Sequence, residues 1–126
     1  MAVPSLCQGR IIWLDVADPL GNIKRRPVII ITPDDEIESA TVLAGIVCST
    51  TSAHLRPRPA DYVEIPHDPS RVCRTKLRKP TVAVCRWAVE LTKDSLAATV
   101  ADDYGGVAPP RVVKSIIEAH AKYAGP

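Results

Sequence analysis

The sequence predicts a mainly β domain of the α+β class, a small barrel or curled sheet of five or so strands with a C-terminal helix packed on it. Three observations predict it. The apolar runs are short and rich in β-branched residues, the composition of strands. Twelve prolines in 126 residues fall mostly between those runs, where they punctuate strands and forbid a helix-dominated domain. Only the tail switches to helical spacing. The length fits one domain spanning residues 1–126, and a hydrophobic fraction of 46% suffices for a core without metal or disulfide staples.

The first run is Gly9-Arg10-Ile11-Ile12-Trp13-Leu14-Asp15-Val16, followed by a turn at Asp18-Pro19-Leu20-Gly21-Asn22, whose Pro, Gly and Asn suit tight backbone geometry. The second run, Pro27-Val28-Ile29-Ile30-Ile31-Thr32, has four consecutive β-branched apolar residues without alternation, the mark of a strand buried on both faces. Pro33-Asp34-Asp35 ends it, and Asp34-Asp35-Glu36 reads as a solvated turn. The third run, residues 41–48, delivers the hydroxyl cluster Ser49-Thr50-Thr51-Ser52 at its C-terminal end. A proline-broken loop covers 53–60. Asp61-Tyr62-Val63-Glu64-Ile65 then alternates as a strand with one wet face, 66–74 is loop, and residues 81–89 form a further strand after Pro80. Asp94 is positioned to cap a short helical stretch from Ser95. After Gly105-Gly106 and Pro109-Pro110 a helix is expected from Arg111 to about Tyr123, with Val113, Ile116, Ile117 and His120 on one face.

Net charge is only +2, but its distribution is uneven. No acid occurs from Pro69 to Val89, whereas Arg71, Arg74, Lys76, Arg78, Lys79 and Arg86 do, and Lys24-Arg25-Arg26 forms a second basic knot. The acids stand elsewhere, at 34–36 and at Asp102-Asp103. Such segregation makes a positive face that favours polyanions. The four cysteines have no C-x-x-C spacing and no histidine near enough for a zinc site, and Cys48 and Cys85 sit in apolar runs. Free thiols, a reducing compartment and a cytoplasmic location are expected. Neither a leader nor a membrane-length apolar run is apparent.

The common catalytic sets are missing. His54, His67 and His120 share no spacing with carboxylates, and there is no phosphate-binding glycine loop and no nucleophile elbow. Two features remain: the arginine pair before a buried strand, Arg25-Arg26-Pro27, and the strand-end hydroxyls. Pairing of those two strands would bring Arg26 near Ser49 or Thr50. A guanidinium beside a hydroxyl suits a phosphodiester, because its fork grips phosphate oxygens and keeps its charge. From spacing alone the plainer reading, a strand-start surface arginine and a turn, stands ahead.

Over roughly residues 9–96 the chain resembles the MazF/PemK (Kid-like) toxins of bacterial type II toxin–antitoxin modules. The resemblance rests on three ordered motifs. Gly9-Arg10-Ile11-Ile12-Trp13-Leu14-Asp15 looks like the family's G-[DER]-[IL]-x-W-[VL]-D strand. Arg25-Arg26-Pro27-Val28-Ile29-Ile30-Ile31 is similar to its R-P-[AV]-[LV]-[VI] strand. Thr75-Lys76-Leu77-Arg78-Lys79-Pro80-Thr81-Val82-Ala83 looks like its G-L-x-K-x-S-x-[AV] segment, with Thr75 standing at the glycine. Asp94-Ser95-Leu96 resembles the step that follows. The loop from Asp18 to Lys24 is shorter than in many members and lacks their acidic E-Q step.

The resemblance implies an SH3-like barrel, a homodimer, a separately encoded antitoxin partner, and metal-independent, cofactor-free cleavage of single-stranded RNA. It places the catalytic arginine at Arg26 and the family's strand-end threonine at Ser49, with Thr50 next. Lys24, Arg25, Arg71, Arg74, Lys76, Arg78 and Lys79 then serve as an RNA-binding track. Trp13 and Trp87 read as core residues rather than base-stacking platforms, given their apolar strand contexts. Two other readings stay open: a toxin of the same fold that binds DNA gyrase, and a catalytically silent barrel that binds RNA or a protein. The final helix, amphipathic rather than aromatic, does not favour the first.

Overall fold

The computed structural model describes residues 3–70 and 73–124. Its strands are β1 (Arg10–Ala17), β2 (Ile23–Ile30), β3 (Val42–Ser49), β4 (Tyr62–Ile65), β5 (Thr81–Thr92) and β6 (Tyr104–Val107); its helices are α1 (Asp34–Ile37), α2 (Lys93–Ala97) and α3 (Pro110–Tyr123). All six strands join one antiparallel sheet in the order β4-β5-β3-β2-β1-β6. The expected mainly β fold with a terminal helix is what forms, as a curled sheet with β4 and β6 at its edges.

The sheet serves two cores, one on each face. On one face Ile11, Ile29, Ile46, Cys48, Ile65 and Cys85 pack under Val112, Val113 and Ile116 of α3. On the other, Ile12, Val28, Ile30, Leu43, Val47 and Leu91 pack with Ile37 of α1 and Leu96 of α2. Val28, Ile29 and Ile30 are fully buried, so the unalternating run in β2 does lie between two packed layers. Each such side chain contributes about 1.5–3 kcal/mol by leaving water. The twelve-residue β5 takes part in both cores. Its register against β3 slips between Ile46↔Ala88 and Cys48↔Ala83, so extra β5 residues bulge out and bend the strand.

The β1–β2 turn forms as expected. Asp18 accepts from the Leu20 and Asn22 N–H groups, both at 2.9 Å, and Gly21 supplies φ 87°. Three local expectations are corrected. Asp34-Asp35-Glu36 opens a one-turn helix, because Ile37 tucks into the second core. The cap of α2 is Thr92, whose hydroxyl accepts from the Ser95 N–H at 3.1 Å; Asp94 lies inside the first turn, where a side chain no longer reaches the free N–H groups. Gly105-Gly106 belongs to β6, a strand rather than a break. Its backbone lies against the basic loop, with Gly106 N–H donating to Thr75 O (2.9 Å) and Val107 N–H to Arg74 O (3.0 Å). A Cβ at Gly106 would overlap the Arg74 carbonyl, so only glycine permits the approach.

Helix α3 begins with Pro110 in its first turn, where the missing N–H costs nothing. Val113 and Ile116 face the core as expected, joined by Val112, while Ile117 stays 37% exposed. His120 Nδ1 donates to the Cys85 carbonyl at 2.7 Å, tying the last turn to β5.

Candidate functional site

A groove of about 620 Å³ opens at the N-terminal end of β2, beside the basic loop. Lys24 and Arg25 line it from β2, Thr50 and Thr51 from beyond β3, Lys76, Arg78 and Lys79 from the loop, and Trp13 and Thr81 from β1 and β5. Five of the cations expected to track a polyanion thus converge on one concavity. They come together because β2 and β5 both flank β3, whose end delivers the hydroxyls.

One of the expected track residues falls elsewhere. Arg74 lines a separate cleft of about 450 Å³ against α3, alongside Asp34, Lys114 and Glu118. Arg71 lies outside the described residues. Arg86, part of the same basic run, turns away to stack on Tyr123 of α3 at 5.6 Å. The separation of charge along the chain is also not kept in space. Asp102 lines the groove, and Asp103 pairs with Arg25 at 2.8 Å. The Val100 N–H and then the Arg25 guanidinium hold the Asp103 carboxyl below its ordinary range.

Arg26 sits next to the groove without lining it. It lies opposite Leu14 in the β1–β2 ladder, on the face of the second core, and its guanidinium stacks over Trp87 with 5.0 Å to the ring centroid. Its Nε is buried and has no hydrogen-bond partner. Among the described residues no carboxylate pairs with it, in contrast to Arg25. Continuing the β2–β3 register beyond Val28↔Val47 puts Ser49 across from Arg26 and Thr50 across from Arg25. The recorded ladder stops short of this because Pro27 has no N–H to give.

The hydroxyls differ in what they are free to do. Ser49 is buried, and its Oγ accepts from the Ser52 N–H at 3.1 Å and lies 3.3 Å from Thr51 Oγ1. It closes the turn into the short 3₁₀ helix Ser52–His54. Thr50 is half-buried and lines the groove. The plainer reading of the hydroxyl cluster, a turn, is therefore right for Ser49, while Thr50 and Thr51 face the cations.

Sequence reasoning missed three groove residues. Trp13 packs on the first core with one side and lines the groove with another, so it is not purely a core residue. Thr81 stood only as a position in the loop motif, and Asp102 was expected away from the basic residues. The loop motif also threads one residue later than its first reading. Lys76 has φ 59°, the left-handed region that favours glycine, so the family's glycine corresponds to Lys76 and not to Thr75. Leu77, Lys79 and Thr81 then match the pattern's Leu, Lys and Ser. Thr75 is instead a buried strut, its hydroxyl donating to Pro66 O at 2.6 Å and accepting from the Leu77 N–H at 3.2 Å.

Among the described residues no three His, Cys, Asp or Glu side chains converge as a metal site, and no helix is long and apolar enough to cross a membrane. No curated protein matches the chain in sequence. Among solved structures, a crystal structure of MazE–MazF from Deinococcus radiodurans is similar, with a TM-score of 0.63 at 15% identity, covering 97% of this chain and 96% of that one. At that identity the likeness shows the fold. Residues 7–119 match the family described as PemK-like, MazF-like toxin of type II toxin-antitoxin system. With nearly the whole chain matched, motifs and curled sheet together, this protein belongs to that toxin family.

Proposed function

We propose that the chain is a metal-independent endoribonuclease that cleaves single-stranded RNA, acts as a homodimer, and is restrained by a cognate antitoxin protein. The observation that carries this reading is an unpaired guanidinium, Arg26, with a buried orphan Nε, beside a cationic groove lined by the Thr50 hydroxyl. A buried donor left without a partner calls for an acceptor from outside the chain, and a phosphate oxygen supplies one.

In the reaction the RNA 2′-oxygen attacks the adjacent phosphorus and the bond from phosphorus to the 5′-oxygen breaks. The products are a 2′,3′-cyclic phosphate and a 5′-hydroxyl; the 2′-hydroxyl proton passes to water as the nucleophile attacks, and water protonates the departing 5′-oxygen. Arg26 offsets the charge that builds on the phosphoryl oxygens. It does not act as the base, since a guanidinium stays protonated. Thr50 hydrogen-bonds the phosphate or the 2′-hydroxyl; Ser49 is already engaged in its turn. Arg25, tethered to Asp103, forms the groove wall with Lys24, Lys76, Arg78 and Lys79. DNA lacks the nucleophile and is not cut.

The test is cleavage of single-stranded RNA by purified protein in chelator. Arg26→Ala should lower the rate by about 10²–10³-fold, the usual loss for one charge-stabilising donor. Thr50→Val should lower it too, whereas Arg25→Ala should weaken binding and keep turnover at saturating RNA. If Arg25→Ala abolishes turnover and Arg26→Ala does not, the chemistry belongs to Arg25 and Thr50. RNA bound but never cut by the wild type selects a silent barrel.

A further inference from the structure

Two groove residues do more than the proposed ribonuclease chemistry asks of them. Lys76 holds φ 59°. For a side chain with a Cβ that conformation is costly, and glycine would adopt it freely. The turn around it needs no lysine: the Lys76 N–H donates to Cys73 O at 3.0 Å through backbone alone. Among the described residues the ammonium joins no ion pair. The strain is thus spent on placing an uncompensated cation in the groove. Trp13 is the second residue. An aromatic ring that is half-buried in a core and still lines a cationic groove offers a flat apolar surface beside phosphate-binding groups, with the Thr81 and Thr51 hydroxyls nearby. Stacking on such a ring is how single-stranded nucleic acid is held base by base.

We infer that Trp13 and Lys76 form a single-nucleotide subsite, in which one unstacked base of the RNA lies on the Trp13 ring while Lys76 grips the neighbouring phosphate. This deepens the ribonuclease reading and rests on it. The pair sets where along the strand the scissile bond falls, because the base on Trp13 fixes the register of the phosphates in the groove.

The experiment measures binding of a fluorescent, uncleavable 2′-O-methyl oligoribonucleotide across a salt series, with melting temperatures read on the same proteins. Lys76→Gly should bind about tenfold more weakly, with the slope of log affinity against log salt shallower by about 0.7, the value for one phosphate contact on a single strand. Its melting temperature should hold or rise, since the strained backbone relaxes. Trp13→Leu should also weaken binding about tenfold at an unchanged slope, while Trp13→Phe keeps most of the affinity. In the wild type, one abasic position in the oligonucleotide should carry a penalty, and that penalty should vanish in Trp13→Leu. Lys76→Gly binding as tightly as the wild type overturns the inference, as does an abasic penalty that persists in full in Trp13→Leu. A wild type that binds no single-stranded RNA strikes the ribonuclease reading itself, which separates the two failures.

Discussion

Position 26 owes its character to its neighbours. Arg25 and Arg26 are adjacent and chemically identical, yet one is neutralised by Asp103 and the other rests on an indole with an idle nitrogen. Strand alternation alone separates them, because consecutive side chains leave a strand on opposite faces. The sequence offered the proximity of the arginine pair to the strand-end hydroxyls as an expectation, without separating the two arginines. The choice among Ser49, Thr50 and Thr51 was not legible, since it depends on which hydroxyl closes the turn. Nor was the dual role of Trp13, because an apolar strand context looks the same whether or not the ring also meets a groove. The cysteines follow a similar logic. Burial pushes the Cys48 thiol far above its ordinary range and that of Cys85 up to about 11, while Cys7 and Cys73 are partly exposed. The thiolate is the reactive form. A disulfide reagent at pH 8 should therefore modify Cys7 and Cys73 in the native protein and all four only after denaturation. Rapid native labelling of Cys48 would contradict this packing.

At the scale of elements, strands with side-chain patterns were readable and the strand without one was not. β2 announced itself through four β-branched residues in a row. β6 hid behind Gly105-Gly106, which looks like a break because a strand assigned by pattern needs side chains to show one. What makes it a strand is tertiary: it pairs with β1, and its backbone also bonds to the loop at Arg74 and Thr75. Gly106→Ala should accordingly cost about 1–3 kcal/mol, the range for overpacking a filled site, and appear as a lowered melting temperature. A variant as stable as the wild type would mean that the loop and β6 do not touch. The same region carries a pH response. Hydrogen bonding from Val100 and pairing with Arg25 depress the Asp103 carboxyl in the folded state relative to the unfolded chain. Stability from this group is thus complete at neutral pH and drains away as acid takes the solution below the ordinary carboxylate range of about 4 and through the folded value. Melts between pH 7 and pH 2 should show Asp103→Asn starting lower and falling less steeply. Parallel curves for the two proteins would remove Asp103 from the account.

Across the whole molecule, one curled sheet serves two cores, with β5 bent so that it takes part in both. Five of its cations gather in one groove although they come from separate parts of a chain whose charges nearly balance overall. The fold class was readable because short β-branched runs followed by one amphipathic helix leave few architectures. The assembly of the groove was not, since it depends on loop conformations and on Asp102 and Asp103 returning from far along the chain. If the protein works as the proposed homodimer, light scattering should give twice the 13.6 kDa chain mass at micromolar concentration. A monomer at that concentration would require each groove to function alone.

The Arg25–Asp103 pair gives the molecule a built-in competitor. A tethered carboxylate is always at hand, so an anion arriving at Arg25 has to displace it rather than meet a bare cation. Small, singly charged ions gain too little from the exchange to dislodge it. A long polyanion that engages several cations at once recovers the loss many times over. If the groove holds RNA as proposed, that one internal ion pair would favour a long ligand over a short one at Arg25.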